Sequence, residues 1–255
     1  MNATSDAGAP GYEHVSTGRL PAAETVQALL DEAYSAYASD TRGSNSQVYP
    51  ALAAVPPDLF GACIVDTSGR VHAVGDSERD FTIMSVSKPF VFALVCQEIG
   101  PDAAHARLGA NSTGLAFNSL AAIERGSDGR TNPMVNPGAI MTTSLVPGAT
   151  VEDRWRFIVD GLSRFAGRPL EVDEVVYASA IEANFRNRGV AHVLHSMGRM
   201  YSDPAAAVDL YTRQCSLKVT ARDLAVMGAT LADGGLNPVS GDAVVSRRCA
   251  TTRWR

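Results

Sequence analysis

The amino-acid sequence predicts an α+β fold, in which a pair of antiparallel strands lies beside a larger helical body. Apolar residues between 24 and 38 recur at helical spacing, which indicates an amphipathic helix. Two short apolar runs, 59–65 and 71–74, follow it and have the length of strands. From residue 85 to about residue 236 the chain is rich in helix-start and helix-stop signals, so this part is expected to be mostly helical.

Composition limits the kind of partner. The 255 residues suit one large domain, with 45% hydrophobic and 19% charged residues. A net charge of −5 and the lack of any Lys/Arg cluster argue against a nucleic acid or an anionic membrane as partner, and favour a small molecule. There is no apolar run of about 20 residues and no secretion signal, and four widely spaced cysteines suit reduced thiols. We therefore expect a cytoplasmic protein.

The elements follow in order along the chain. Residues 1–21 are polar and small, and are expected to form a disordered tail. The segment Glu24 to Ala38 is predicted as the first helix. The two apolar runs are joined by Asp66-Thr67-Ser68-Gly69, which is typical of a hairpin turn, and they are predicted to pair as antiparallel strands.

Helix boundaries are marked at several later positions. A helix over 85–99 is expected to stop at Gly100-Pro101, because glycine and then proline commonly end a helix. Two further helix starts resemble capping boxes with Asp in place of Glu, namely Thr150-x-x-Asp153 and Thr220-x-x-Asp223.

The segment Ser85-Val86-Ser87-Lys88 suits a serine nucleophile with its own base. Residues three apart share a helix face, so the Ser85 hydroxyl and the Lys88 amine can come within hydrogen-bond reach. Lysine accepts a proton only when it is neutral, and burial favours that form by lowering its pKa. A helix N-terminus beside Ser85 would also favour the negative oxygen that forms during attack.

The four-residue pattern alone has another interpretation, a serine that caps a helix and a lysine in solvent. His192 and His195 can share a helix face, but no third ligand stands near them, so an ordinary helix surface is expected there and no metal. Nucleotide-binding glycine motifs are absent from the sequence.

Two longer motifs accompany Ser85-x-x-Lys88. They are Gly109-Ala-Asn-Ser-Thr-Gly-Leu-Ala-Phe-Asn-Ser119 and Asn132-Pro-Met-Val-Asn-Pro-Gly-Ala-Ile140. Shorter matches include Tyr49-Pro-Ala-Leu-Ala53, Asn184-Phe-Arg-Asn187 and Asp209-Leu-Tyr-Thr-Arg-Gln-Cys-Ser216. With these motifs, the chain strongly resembles the serine-dependent glutaminase family over about residues 24 to 246.

The resemblance implies a β-lactamase-like, penicillin-binding-like architecture, with a helical lobe beside an antiparallel sheet. It also implies that Ser85 attacks the side-chain amide of L-glutamine with Lys88 as base, giving a γ-glutamyl ester, ammonia and then L-glutamate. Asn136, Asn187 and Tyr211, with Ser85, would bind the substrate. No cofactor or metal is implied, and a homodimer or homotetramer is expected.

Each binding residue has a structural alternative. Asn136 would then be a loop residue in a turn with Gly138, Asn187 a helix cap and Tyr211 a core aromatic.

The chain departs from the family's pattern at two positions near the expected site. A glutamate expected seven residues before Asn187 is replaced by Ala180, and Glu182 is the nearest candidate substitute. Val48 stands where the family has a pocket tyrosine, and Tyr49 is displaced by one residue.

The resemblance fades after Ser246, and residues 247–255 are expected to form an aberrant tail after an incomplete catalytic domain, 22–246. The family's final strands, part of its oxyanion hole and a further tyrosine would then be missing. On this expectation the 255-residue chain would be weakly stable or prone to association, with little glutaminase activity.

The sequence supports three alternative hypotheses about function. The leading hypothesis is a glutaminase. A penicillin-recognising acyl enzyme also uses Ser-x-x-Lys and ranks below it. The third is a non-catalytic relic or binding protein that keeps the scaffold.

Overall fold

The computed structural model of the protein describes residues 21–109, 112–124 and 129–251. The disordered tail predicted for 1–21 lies outside these residues except for Pro21, and so do residues 252–255 of the predicted aberrant tail.

Helices make up most of the described chain. They are α1 (Ala23–Tyr37), α2 (Pro50–Ala53), α3 (Ser87–Ile99), α4 (Pro101–Arg107), α5 (Ala121–Glu124), α6 (Asn136–Ser144), α7 (Val151–Ala166), α8 (Glu174–Ala183), α9 (Phe185–Ser196), α10 (Pro204–Cys215), α11 (Ala221–Ala232) and α12 (Arg247–Ala250). The strands are β1 (Gly61–Val65), β2 (Val71–Gly75), β3 (Phe81–Thr82) and β4 (Lys218–Val219), and a 3₁₀ turn spans Met84–Val86.

Strands β1 and β2 form the predicted antiparallel hairpin, with Gly61 opposite Gly75 and Val65 opposite Val71. The turn closes because the Asp66 carboxylate accepts hydrogen bonds from the backbone N–H groups of Ser68 (2.9 Å) and Arg70 (3.0 Å). Helix α11 packs on β1 and α1 packs on β2. The predicted α+β composition is thus confirmed in the described residues.

Helix α3 lies at the centre of the helical lobe. It is buried almost throughout, from Ser87 to Cys96, which accounts for its nearly continuous apolar sequence. Helix α7 approaches it closely at Gly161, where a Cβ atom would lie 2.4 Å from a methyl carbon of Leu94. Phe90 and Phe165 add a tilted ring contact at 5.2 Å between the same two helices. The packing holds α3 against α7 in the interior of the lobe.

The helix boundaries predicted from local signals are largely confirmed. Capping boxes are present at both predicted positions, beginning at Thr150 and at Thr220. Helix α3 ends at Ile99, Gly100 takes a left-handed φ of 82°, and Pro101 starts α4. The predicted first helix, 24–38, differs from α1 by one residue at each end.

The start of α3 was predicted two residues too early. Ile83 still belongs to the strand region, because its N–H donates to the Leu217 carbonyl at 2.9 Å. Met84 then has a φ of 48°, which a right-handed helix does not allow. The α-helix therefore begins at Ser87, and Ser85 lies in the preceding 3₁₀ turn.

Part of the segment expected as an aberrant tail forms α12, which packs on α3. The Cys249 side chain is buried there, and the Ser246 N–H donates to Gln97 Oε1 at 2.7 Å.

Within the described ranges, no helix is both long and apolar enough to cross a membrane.

Candidate active site

Ser85 is presented on the surface by the 3₁₀ turn that leads into α3. Its hydroxyl lies close to the Tyr211 phenol. Burial raises the pKa of Tyr211 well above its usual value, while the neighbouring Ser85 acts in the opposite direction. Tyr211 therefore stays protonated at neutral pH, and its oxygen can accept a hydrogen bond from the Ser85 hydroxyl.

Lys88 lies one turn further along the chain, and its side chain is buried. The residue is only 4% exposed, and its Nζ donates to Asn136 Oδ1 at 2.8 Å. The ring of Phe117 covers the amine, with Nζ 5.8 Å from its centroid. Burial lowers the pKa of Lys88, while the Cys215 side chain acts in the opposite direction. The neutral amine, which is the form that accepts a proton, is favoured by this environment.

Asn136 connects the polar groups of the site. Its Oδ1 also accepts a hydrogen bond from the Tyr211 hydroxyl at 3.3 Å, and its Nδ2 donates to Asn187 Oδ1 at 3.2 Å. Asn136 is the first residue of α6, Asn187 lies on α9 and Tyr211 on α10. The structure thus brings four of the five predicted site residues into one hydrogen-bonded cluster, and Ser85 lies at its edge.

The surroundings of these residues can be compared with the purely structural roles that the sequence also allowed for them. Lys88 is buried, whereas a lysine that merely follows a capping serine would be in solvent. Asn187 lies inside α9, whose N-cap is Asn184. Tyr211 does belong to the hydrophobic core, yet its hydroxyl bonds to Asn136, so it contributes to both. Their roles in binding and catalysis stay predictions.

The expected contact between Ser85 and Lys88 is not a hydrogen bond in this structure. Among the described residues, the partner of the Lys88 amine is Asn136 Oδ1.

The two departures from the family pattern have different surroundings. Ala180 is buried at 2% exposure on α8, and Glu182 lies two residues along the same helix with an exposed side chain. Because two residues turn a helix by about 200°, Glu182 points away from the side that Ala180 occupies.

Val48 is 63% exposed, whereas Tyr49 is partly buried. Burial raises the pKa of Tyr49, and Cys215 adds to this effect. Tyr49 also contributes to the raised pKa of Tyr211, so the two side chains lie in the same part of the molecule.

A cavity of about 510 Å³ lies next to this site, between the segment from Leu52 to Gly61 and strand β3. Met84 lines it, whereas Ser85 and Lys88 do not. The cavity therefore reaches the residue before Ser85, and no residue of the polar cluster lines it.

Sequence reasoning missed the buried residues behind Ser85, namely Ser87, Gln214 and Cys215. Ser87 stands inside the Ser-x-x-Lys segment, and the other two lie in the Asp209–Ser216 motif, but nothing in the sequence showed that these segments meet. Burial raises the pKa of Cys215 to about 11, so its thiol is protonated at neutral pH.

No group of His, Cys, Asp and Glu side chains suited to a metal ion was found in the part of the chain that the structure covers.

Comparison with known proteins gives consistent results. A family model for glutaminase matches residues 43–253. Glutaminase 2 of Yersinia pestis is 64% identical over 233 residues, which are 91% of this chain and 68% of that protein. A glutaminase of Brucella abortus is 48% identical over 223 residues, which are 88% of this chain and 70% of that protein.

Solved structures show the same likeness. The probable glutaminase ybaS superimposes with a TM-score of 0.87 and 39% identity, covering 90% of this chain and 74% of the other. Mglu in its L-glutamate binding form gives a TM-score of 0.83 and 36% identity, covering 89% of this chain and 52% of the other. These superpositions confirm the predicted β-lactamase-like α+β architecture.

Proposed function

The chain belongs to the glutaminase family, and from that premise we propose that it hydrolyses L-glutamine to L-glutamate and ammonia through an ester on Ser85. The observation that carries the proposal is the buried Lys88 amine, one turn from an exposed serine and held by a neutral amide oxygen. L-Glutamate binding by Mglu, a structural relative, supports the substrate class.

The reaction proceeds in two steps. The Ser85 oxygen attacks the side-chain amide carbon of glutamine while its proton passes to neutral Lys88. The carbon–nitrogen bond then breaks, the proton leaves with ammonia, and a γ-glutamyl ester remains on Ser85. Water attacks that ester with the same amine as base and releases L-glutamate. Helix α3 begins two residues after Ser85, so the positive end of its dipole lies near the oxygen that becomes negative.

Asn136, Asn187 and Tyr211 supply the donors and acceptors that a small zwitterion with a neutral amide requires. Asn136 uses both Oδ1 and Nδ2 within the cluster, whereas Asn187 uses only Oδ1 and Tyr211 only its hydroxyl, so the Nδ2 groups of the two amides keep further N–H donors for the substrate. No cofactor enters these steps.

An electrophilic analogue of glutamine tests this proposal. Intact-mass measurement should show one adduct on the wild type and none on Ser85→Ala, and ammonia release should depend on Ser85 in the same way. Ser144→Ala, a buried serine of α6, is the matched control and should keep both signals. Ammonia release by Ser85→Ala at the wild-type rate would refute the role of Ser85.

The alternatives give different outcomes in the same experiment. Labelling without ammonia release would indicate an enzyme stalled at the ester. Neither signal would favour the non-catalytic relic, for which the loss of a carboxylate at Ala180 is the supporting observation. A mass increase with a β-lactam would favour a penicillin-recognising acyl enzyme.

We also propose a cytoplasmic location and a homodimer or homotetramer. All four cysteines are free thiols, which suits a reducing compartment. Exposed apolar side chains at Leu59, Phe60 and Phe81 line the cavity beside the hairpin and supply apolar surface for association. Light scattering on the purified chain measures the assembly.

A further inference from the structure

Met84, directly before the proposed nucleophile, has an unusual backbone conformation. Its φ of 48° lies in the left-handed region, and no other non-glycine residue in the described ranges has a positive φ. A residue with a Cβ atom disfavours this region, so the surrounding structure must hold it there. The conformation of Met84 decides where the next residue, Ser85, points.

The Ser87 side chain bonds to the backbone of Met84. Ser87 is 0% exposed, and its hydroxyl donates to the Met84 carbonyl at 2.8 Å. Gln214 Nε2 donates to the same hydroxyl oxygen at 3.3 Å, so the single hydroxyl hydrogen is free to point at Met84. The Cys215 sulfur is a more distant neighbour at 3.9 Å.

Gln214 has a further polar neighbour, Thr143. Its Oε1 lies 3.3 Å from the Thr143 hydroxyl, and that hydroxyl is also 3.0 Å from the Ala139 carbonyl. Thr143 and Gln214 are both buried, on α6 and α10 respectively. The single Thr143 hydroxyl hydrogen can go to only one of these oxygens, so Thr143 is a polar neighbour of Gln214 rather than a fixed donor to it. Hydrogen bonds from Gln214 to Ser87 and from Ser87 to Met84 connect α10 to the turn that carries Ser85.

We propose that Ser87 is a positioning residue, whose hydroxyl holds Met84 in the left-handed conformation and so directs Ser85 toward the substrate. The inference rests on the proposed role of Ser85 as nucleophile. Ser87 touches neither the substrate nor the reacting atoms, and acts only through the Met84 carbonyl.

The test is the rate at which the electrophilic glutamine analogue labels Ser85 in the full chain. Ser87→Ala is expected to slow labelling by about tenfold. In the ammonia assay with glutamine, the same variant is expected to change kcat more than KM. Ser144→Ala is the matched control, since that buried hydroxyl also donates to a carbonyl three residues earlier, Met141 at 2.6 Å. Ser144→Ala should lower the melting temperature about as much as Ser87→Ala does, and it should leave the labelling rate unchanged.

A second substitution separates positioning from a loss of packing. Glycine adopts positive φ without strain, so adding Met84→Gly to Ser87→Ala should recover a large part of the labelling rate, although it restores no packing. If Ser87→Ala is not recovered folded, Gln214→Met serves in its place and is expected to slow labelling by about threefold.

Two results would overturn the inference differently. If the wild type is labelled at Ser85 and Ser87→Ala is labelled equally fast, the positioning role is wrong while the proposed function stands. If the wild type is not labelled at Ser85, the proposed function fails and this inference fails with it.

Discussion

Replacement of Asn136 by Asp tests whether Lys88 must be neutral. The substitution keeps the shape of the side chain and places a negative charge where Oδ1 now lies 2.8 Å from the Lys88 amine. At that distance the attraction between unit charges is about 1.5 kcal/mol in the dielectric of water and about 6 kcal/mol at an effective dielectric of about 20. Since about 1.4 kcal/mol corresponds to one pKa unit, we expect the pKa of Lys88 to rise by about one to four units.

The assay is the pH dependence of Ser85 labelling by the electrophilic glutamine analogue, with ammonia release as a second measurement. Below its pKa the neutral fraction of the amine falls about tenfold for each unit of increase, so labelling near neutral pH should fall by at least about tenfold. The rising limb of the pH profile should move to higher pH by the same amount, about one to four units.

The matched control is Asn184→Asp. Asn184 is also a buried amide, but it donates to Thr212 Oγ1 at 2.7 Å and has no contact with Lys88. Its pH profile should keep the wild-type position. A folded Asn136→Asp protein with an unchanged pH profile would refute the assignment of Lys88 as the base.

Three further substitutions test other parts of the structure. Lys88→Met should abolish labelling and stabilise the fold near neutral pH. Between the lowered pKa of folded Lys88 and 10.5, the folded wild type binds fewer protons than the unfolded chain, so the stability of the wild type rises with pH in this range. The stability advantage of the variant should therefore shrink as the pH rises, and urea titrations at several pH values measure this. Asp223→Ala should cost about 2 kcal/mol in urea unfolding, because it removes the capping box of α11 and the hydrogen bonds from Arg168, which keeps a longer ion pair with Asp80 at 3.7 Å. The exposed cap Asp153→Ala should cost about 1 kcal/mol, and equal losses would contradict this. Tyr49→Ala should lower kcat/KM for glutamine by about tenfold and Val48→Ala by less than about twofold, so similar effects in ammonia release would exclude Tyr49 from the site.

The sequence predicted the hairpin and the helix boundaries that depend on contacts between residues close together in the chain. The hairpin depends on the hydrogen bonds that Asp66 makes within its own turn, and the boxes at Thr150 and Thr220 each involve residues three apart. Such contacts are present in any window of the sequence long enough to contain them. The end of α3 at Gly100 is also set by a local signal.

The cluster around Asn136 could not be predicted from spacing. It joins residues that are 48, 51 and 75 positions apart, so only the packing of α3, α6, α9 and α10 brings them together. The resemblance to a family named these residues, but it gave no indication that the Lys88 amine bonds to Asn136. The start of α3 was misplaced for a related reason, because the bond between Ile83 and Leu217 that prolongs the strand comes from a distant segment.

The surroundings of Lys88 explain how a lysine can serve as a base without a neighbouring cation. Burial disfavours the charged amine, and the groups that contact it or lie beside it are uncharged at neutral pH: an amide oxygen, a phenol and a thiol. The thiol matters most, because a Cys215 thiolate would raise the pKa of Lys88, yet burial raises the pKa of Cys215 itself to about 11. The burial that lowers the pKa of the amine therefore also suppresses the nearby charge that would oppose it. A change that admits water to the buried Cys215 should therefore raise the pKa of Lys88 and slow the labelling of Ser85.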